Sequence, residues 1–323
     1  MIQHILSFVP LCDLPAVMRS SRQMFDIAAP FLYRSIATPS SYRGQGPLSF
    51  LDSSSKRHAL KHVRKLKVEY SVRLETHWNH HAPSPPLPYL QTLRIRRVPH
   101  CFDSRCQLLD GLTPRTAILE DNIINNLGAI TSIPSDAFPT SITRLIYLCP
   151  TPENTYPPTR LDVPHIIPNL TETTFIFTPR PIWQIHELDL GRRGTYEPDR
   201  QFTNMIHMLV FHIFHSANPV LLVGLEYFPK ESRPLDLQEG NHDHETIVQG
   251  FARAISDRIK VVYGRNMYFQ PDKLAEWDMD ETGREREMRQ KQGMFRAMTL
   301  RRYIEYELRE DELSIPEARS WLG

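Results

Sequence analysis

Two short stretches concentrate side chains able to ligate a metal ion. His77, His80 and His81 stand beside Trp78, and His242 and His244 flank Asp243 with Glu239 and Glu245 close by. Imidazole and carboxylate are zinc ligands, but a site needs three or four of them converging, with supporting hydrogen bonds that fix their orientation. Both stretches read as loops, and neither has a partner motif elsewhere in the chain. Polar surface loops are the simpler reading, and no metal is expected. His207, His212 and His215 sit on an apolar helical pattern without sharing a face, which suits structural histidines.

The four cysteines, Cys12, Cys101, Cys106 and Cys149, contain no Cys-x-x-Cys pair and no Cys/His set at zinc spacing. They read as reduced thiols of a cytoplasmic or nuclear protein, with a loop disulfide between Cys101 and Cys106 as the alternative. Cys149 has no histidine at a spacing that suggests an activated nucleophile. Neither G-x-G-x-x-G nor G-x-x-x-x-G-K-[ST] occurs, and there is no G-x-S-x-G elbow and no H-E-x-x-H pair. The expectation is a protein that is not an enzyme and holds no cofactor.

The chain has 323 residues, 41% hydrophobic and 23% charged, as a folded protein of one or two domains requires. No run of about twenty apolar residues is present, so no membrane span is expected. The first residues lack the basic, apolar and small-residue order of a secretory signal. Net charge is +1, so no global field for nucleic acid is implied. Residues 1–120 hold 16 Lys/Arg against 8 Asp/Glu, and the remainder 22 against 29. The basic excess gathers in Lys56, Arg57, Lys61, Arg64, Lys65, Lys67 and Arg73. With Tyr70 as the one aromatic among them, this is a poor nucleic-acid signature.

The elements that would carry any binding surface are legible from periodicity. Val63, Leu66 and Val68 recur as Leu90, Leu93 and Ile95, then as Ile142, Leu145 and Tyr147, then as Leu170, Thr173 and Phe175, with Ala117 and Leu119 filling a rung between. A unit of roughly 26–28 residues is the length of a leucine-rich repeat. The signature Asn or Cys is absent, so the expected class is α/β: a degenerate, leucine-rich-repeat-like solenoid with a mostly parallel sheet. Alternation puts Leu66 and Val68 inward and Lys65, Lys67 and Glu69 outward. Outward columns then read Lys67, Arg94, Ile118, Ile146, Thr174 and Glu69, Arg96, Glu120, Leu148, Ile176. Lys65, Lys67, Arg94, Arg96 and Arg144 form a candidate partner-binding face, the alternative being that they keep an exposed sheet soluble.

Beyond residue 200 the pattern lengthens. A helix is expected over Phe202–Ser216, a strand at Val220–Leu225, a helix at His244–Ser256, a strand at Ile259–Tyr263 and a last strand from Phe295. In 271–292, 12 of 22 residues are charged, as in a solvated helix or an insertion. Thr299 should cap a helix running to about Arg309, and Ser314 with Glu317 fits a capping box.

At the other end, Ile2, Ile5, Leu6 and Val9 have one-face helical spacing, closed by Pro10. Asp13 is placed to cap a second helix with Leu14, Val17 and Met18 inward. Met24, Ile27, Ala28 and Phe31 make a third. Three helices this short bury little surface alone. Ile5-Leu6-Ser7-Phe8, Asp13-Leu14, Val17, Ser21-Arg22 and the exit Ala29-Pro30-Phe31-Leu32-Tyr33-Arg34-Ser35-Ile36 together resemble the F-box, the adaptor-binding module of ubiquitin-ligase receptors, in its fungal form. That resemblance covers about a tenth of the chain. The family usually opens with Leu-Pro-x-Glu, whereas this chain starts inside the first helix, which leaves a truncated opening, a misassigned start or a module that has lost its partner as the alternatives.

The resemblance implies a substrate-receptor subunit of a Skp–cullin–F-box ligase. Ile5, Leu6, Phe8, Asp13, Leu14 and Val17 would meet a Skp-type adaptor, and the body would hold an unidentified target protein. The implied organisation is a module at 1–36, a repeat-like body at 56–200 and a C-terminal extension and cap at 201–323. Without the resemblance, the three helices read as a cap on a larger domain, and the chain as a scaffold or, with loop residues such as His242 and His244 converging, a metal-dependent enzyme.

Overall fold

A computed structural model of the chain describes residues 2–6, 8–10, 12–37, 59–69, 87–96, 111–120, 139–150, 167–179, 206, 209–210, 213, 218–228, 230, 233–265, 281–309, 312–313 and 315–322. Three helices come first, α1 (Ile2–Leu6), α2 (Leu14–Ser20) and α3 (Arg22–Leu32). The strands are β1 (Ser35–Ala37), β2 (Lys65–Glu69), β3 (Thr92–Arg96), β4 (Thr116–Glu120), β5 (Arg144–Pro150), β6 (Glu172–Thr178), β7 (Val220–Val223) and β8 (Phe295–Met298). They form one eight-stranded sheet whose spatial order is the sequence order. It is an all-parallel α/β arrangement. The chain divides into two compact units, one made of Met1–Glu120, Thr131–Leu145 and Ile166–Asn169, the other of Asp121–Ile130, Ile146–His165 and Leu170–Gly323.

In the first unit the recurring apolar trio stands in register. Leu66 lies beside Leu93 and Leu93 beside Ala117, while Val68, Ile95 and Leu119 form the next row. All six are buried. A second recurrence lies just upstream, where the chain turns into each strand. Leu60 accepts the Val63 N–H, Leu87 that of Leu90, and Pro139 that of Ile142, at 3.1, 3.1 and 3.2 Å.

A repeated carbonyl contact then ties rung to rung. The Arg34 oxygen accepts from the N–H groups of Arg64 and Lys65, that of Arg64 from Gln91 and Thr92, that of Gln91 from Arg115 and Thr116, and that of Arg115 from Thr143 and Arg144, all at 2.8–3.1 Å. A carbonyl has two lone pairs, so each oxygen can serve both donors.

In the second unit, β7 is buried along its whole length and β6 from Thr173 to Thr178. Parallel strands covered on both faces read as continuous apolar runs, as Val220-Leu-Leu-Val223 does. Aromatic rings fill the layer: Tyr147 stacks on Phe175 at 4.9 Å, Phe177 meets Phe228 edge-on at 5.0 Å, and Phe228 lies 5.6 Å from Phe251. After β7 the chain turns at Gly224, whose φ is +82°, into a 3-10 turn, Leu225–Tyr227.

Helix α4 (His244–Arg265) buries Ile247, Phe251, Ile255 and Ile259 one turn apart. Asp243 precedes it and accepts the Thr246 N–H at 2.9 Å and its hydroxyl at 2.7 Å, which holds the Asp243 carboxyl below its ordinary range. The strand expected at Ile259–Tyr263 is therefore not formed. Ile259 continues the four-residue spacing of α4, and packing of that face overrides the β preference of the Val261–Val262 pair. Ile206, Leu209, Val210 and Ile213 are helical and buried, in line with the helix read at 202–216.

A second 3-10 turn (Leu235–Leu237) precedes α4, and helices α5 (Glu281–Gly293), α6 (Leu300–Tyr306) and α7 (Ile315–Arg319) follow it. Thr299 caps α6 by accepting the Arg302 N–H. Ser314 and residues 271–280 lie outside the described residues. No described helix is long and apolar enough to cross a membrane.

The outward columns differ from expectation. Ile118, Ile146, Leu148, Thr174 and Ile176 are buried, so these later strands do not present a free neutral face.

Candidate functional site

The three N-terminal helices share a small core of their own. Leu6, Leu14, Met18, Ala28 and Ala29 are buried together, with Val9, Val17, Met24, Phe25, Ile27 and Phe31 packed around them. Leu6 and Leu14, two of the six residues expected from the resemblance to contact an adaptor, are thus buried among the three helices. Val17 is half-buried against the same cluster, and Asp13 is exposed.

Asp13 also does not cap α2. Its backbone is already helical (φ −93°, ψ −20°) and its side chain bonds no helix amide. The first-turn residue Pro15 has no N–H, and Ala16 donates to the Asp13 carbonyl instead. Ser21 does cap: its hydroxyl accepts the Met24 N–H at 3.1 Å at the start of α3. Ser21→Ala is expected to lower the stability of this module by about 1 kcal/mol, measurable by thermal melting.

What remains outside is an apolar rim. Ile2 is 44% exposed, Ile5 56% and Phe8 75%, and the His4 ring lies edge-on to Phe8 at 5.0 Å. Helical spacing alone turns Ile2 and Ile5 inward with Leu6 and Val9. Helix α1 has only five residues, however, and only its Leu6 edge reaches the core. Exposed aliphatic and aromatic side chains brought together on a surface suit contact with another molecule.

On the strand face, two of the described basic residues, Lys67 and Arg94, are engaged by an acid. Glu120 is buried, and its carboxylate takes the Arg94 Nε at 2.8 Å and the Lys67 Nζ at 3.5 Å. Arg94 faces Ile118 in the register, so Glu120 is reached diagonally, two residues further along β4. Lys65 is half-buried and Arg144 buried. Arg96 belongs to β3, but its side chain lies outside the described residues, as do Lys56, Arg57 and Arg73. Within this unit Lys67 and Arg94 therefore act as cross-strand ties. Nearby, Arg64 lies over the Tyr89 ring at 4.6 Å and donates to its carbonyl at 3.1 Å.

A third constellation has no counterpart in the sequence reading. Glu226, in the 3-10 turn after β7, is buried with one carboxylate oxygen accepting the Leu300 N–H at 2.7 Å. Its other oxygen has no hydrogen-bond partner among the described residues. Burial pushes the carboxyl up to about 7, against the pull of the Leu300 N–H, and the Glu245 carboxylate adds to the rise. Glu245 in turn accepts the Thr299 hydroxyl at 3.2 Å. The one signal in the chain is a lone acid between Leu225 and Phe228 at the end of an apolar run. A cleft of about 510 Å³ opens beside it, lined by Glu245, Arg296, Thr299, Arg302 and Tyr306 among others.

The histidine groups do not build a site among the described residues. His242 shares a hydrogen bond with the Glu239 carbonyl at 2.7 Å, and His244 opens α4 with its ring 5.8 Å from that of Tyr227. No group of three or more His, Cys, Asp or Glu is placed to hold a metal ion among the described residues. His77, His80, His81, His207, His212, His215, Cys101 and Cys106 lie outside them, while Cys12 is an exposed thiol and Cys149 a buried one. Comparison with protein-family models, with curated proteins and with solved structures finds no match for the chain.

Proposed function

We propose that the chain is a protein-interaction adaptor, the substrate-receptor subunit of a Skp–cullin–F-box type ubiquitin ligase. The N-terminal helices dock on the Skp-type adaptor, and the body holds a target protein. Such a subunit breaks no bond; it supplies proximity between target and ligase. The observation that supports this best is the helical module with its own core and an apolar rim of Ile2, Ile5 and Phe8 left outside. The contact set is accordingly Ile2, Ile5 and Phe8 with Asp13 and the outer edge of Val17, while Leu6 and Leu14 act from within. The body is read as an irregular leucine-rich-repeat-like solenoid. Its recurrent inward trio and the doubly used carbonyls of Arg34, Arg64, Gln91 and Arg115 support that reading.

Titration calorimetry of the full chain against a Skp-type adaptor tests the proposal. Binding at micromolar or tighter affinity is expected, and Ile5→Asp or Phe8→Asp should weaken it about 30-fold or more with helicity unchanged. Leu14→Asp should also abolish binding, but by unfolding the module, which far-ultraviolet circular dichroism separates from contact loss. Failure of the unmodified chain to bind, or full binding by the Phe8→Asp variant, overturns the reading.

A further inference from the structure

Glu226 is a buried acid that accepts the Leu300 amide, with a weaker pull from its own backbone N–H. The Leu300 N–H reaches Oε1 at 2.7 Å, Oε2 is without a hydrogen-bond partner among the described residues, and no ion pair there reaches the carboxylate. Of the two described cations that follow it in the chain, Lys230 donates to the Gly240 carbonyl at 3.3 Å, and Arg233 donates to the backbone oxygens of Glu226 at 3.3 Å and Phe228 at 3.0 Å. Leu300 is the first residue of α6, so this one carboxyl joins the turn after β7 to the start of that helix. The joint has little freedom to adjust, because Gly224 just before it is pressed against the Phe177 carbonyl.

We propose that Glu226 is a proton-operated latch: protonated, it fastens the first turn of α6 to the turn after β7, and ionised, it loosens that helix. A neutral carboxyl still accepts the Leu300 N–H through its carbonyl oxygen, whereas an ionised one is a buried charge with one hydrogen bond and no counter-ion. Among the described residues, the groups around it form no ion pair with the carboxylate. Tyr227 adjoins it in the same turn. From α4 comes Glu245, a like charge, with Asp243 and His244 at the same helix end. From β8 and α6 come Arg296, Arg301 and Arg302. Arg296 is engaged by Glu307 at 3.1 Å, and Arg301 and Arg302 are exposed. Strand β6, which also packs on this turn, carries no titratable residue between Thr173 and Thr178.

The direction follows from linkage. In the unfolded chain the carboxyl titrates at its ordinary 4.5, and in the folded chain near 7. The folded state therefore holds the proton more tightly, and that stabilisation is complete below about pH 4.5 and lost as pH rises to about 7. The device goes beyond adaptor docking and does not depend on it.

Hydrogen exchange of the full chain tests this, read on peptides covering Leu300–Tyr306 and corrected for the intrinsic pH dependence. Protection there is expected to fall roughly 50- to 100-fold between about pH 5 and 8, while peptides covering Ile247–Ile259 stay level. Glu226→Gln keeps an acceptor for Leu300 and removes the charge, so its profile should be flat. Glu245→Gln keeps an acceptor for Thr299 and removes the like charge, so the fall should shrink. A level profile in the unmodified chain, or an undiminished fall in Glu226→Gln, overturns the latch. Should Glu226→Gln not fold, a level profile in the unmodified chain still overturns the latch.

Discussion

Gly224→Ala is expected to cost at least about 3 kcal/mol and to lower the melting temperature by roughly 10 °C. Two effects add. The residue sits at φ +82°, where any L side chain is strained by about 1–2 kcal/mol. Its new Cβ would also run into the backbone carbonyl of Phe177 in β6, and that strand is buried and cannot step aside. A flexible side chain would move; a carbonyl inside a parallel sheet moves only with its strand. Gly111 isolates the first effect, because it has φ +78° and a methyl added there would meet nothing within 4 Å among the described residues. Gly111→Ala should therefore cost only about 1 kcal/mol. Thermal melting of the two variants side by side checks this, and equal losses would show that the Phe177 contact carries no weight.

The second large effect is expected at Glu120. Its carboxylate is 4% exposed and neutralises Arg94, which is 13% exposed, and Lys67, which is 31% exposed. Glu120→Ala leaves a mostly buried guanidinium without this partner, and breaking a buried pair from one side typically costs about 3–5 kcal/mol. Partial exposure of Lys67 puts the expectation at the lower end, about 3 kcal/mol. Lys67→Ala should cost under about 1 kcal/mol, because that ammonium is farther away and in reach of water. Denaturant unfolding gives both values. A Glu120→Ala loss no greater than that of Lys67→Ala would mean that the cluster is incidental to the joining of β2, β3 and β4.

Both expectations rest on positions whose importance is unevenly visible in the chain. The inward trio is legible because its members are apolar at nearly every rung and because strand alternation is rigid: Leu66, Leu93 and Ala117 do lie side by side. The opposite face is not. Whether Ile146 or Ile176 is covered depends on segments distant in sequence, and alternation alone does not report them. Columns drawn straight across the rungs also separate Arg94 from Glu120, whereas long side chains pair diagonally. The misread strand at Ile259–Tyr263 shows local β preference yielding to a helix face that has already begun at Ile247. At the N-terminus, helical spacing identifies three helices but not their mutual angles. It does not decide that Leu14 turns in and Phe8 out. Glu226 escapes notice because a single acid has no motif, and its character comes from the Leu300 amide 74 residues later.

The two flanking strands of the sheet are short, three residues in β1 and four in β8. At about 3.3 Å per residue, the ladder that each flanking strand can offer spans only some 10–13 Å. Accretion of further chains onto a margin needs a long template, and cross-β fibrils are seeded by one. With both margins clipped, the sheet is poor kindling for fibres, and concentrated solutions of the folded chain should stay clear even though its rungs are joined in the parallel fashion that fibrils favour.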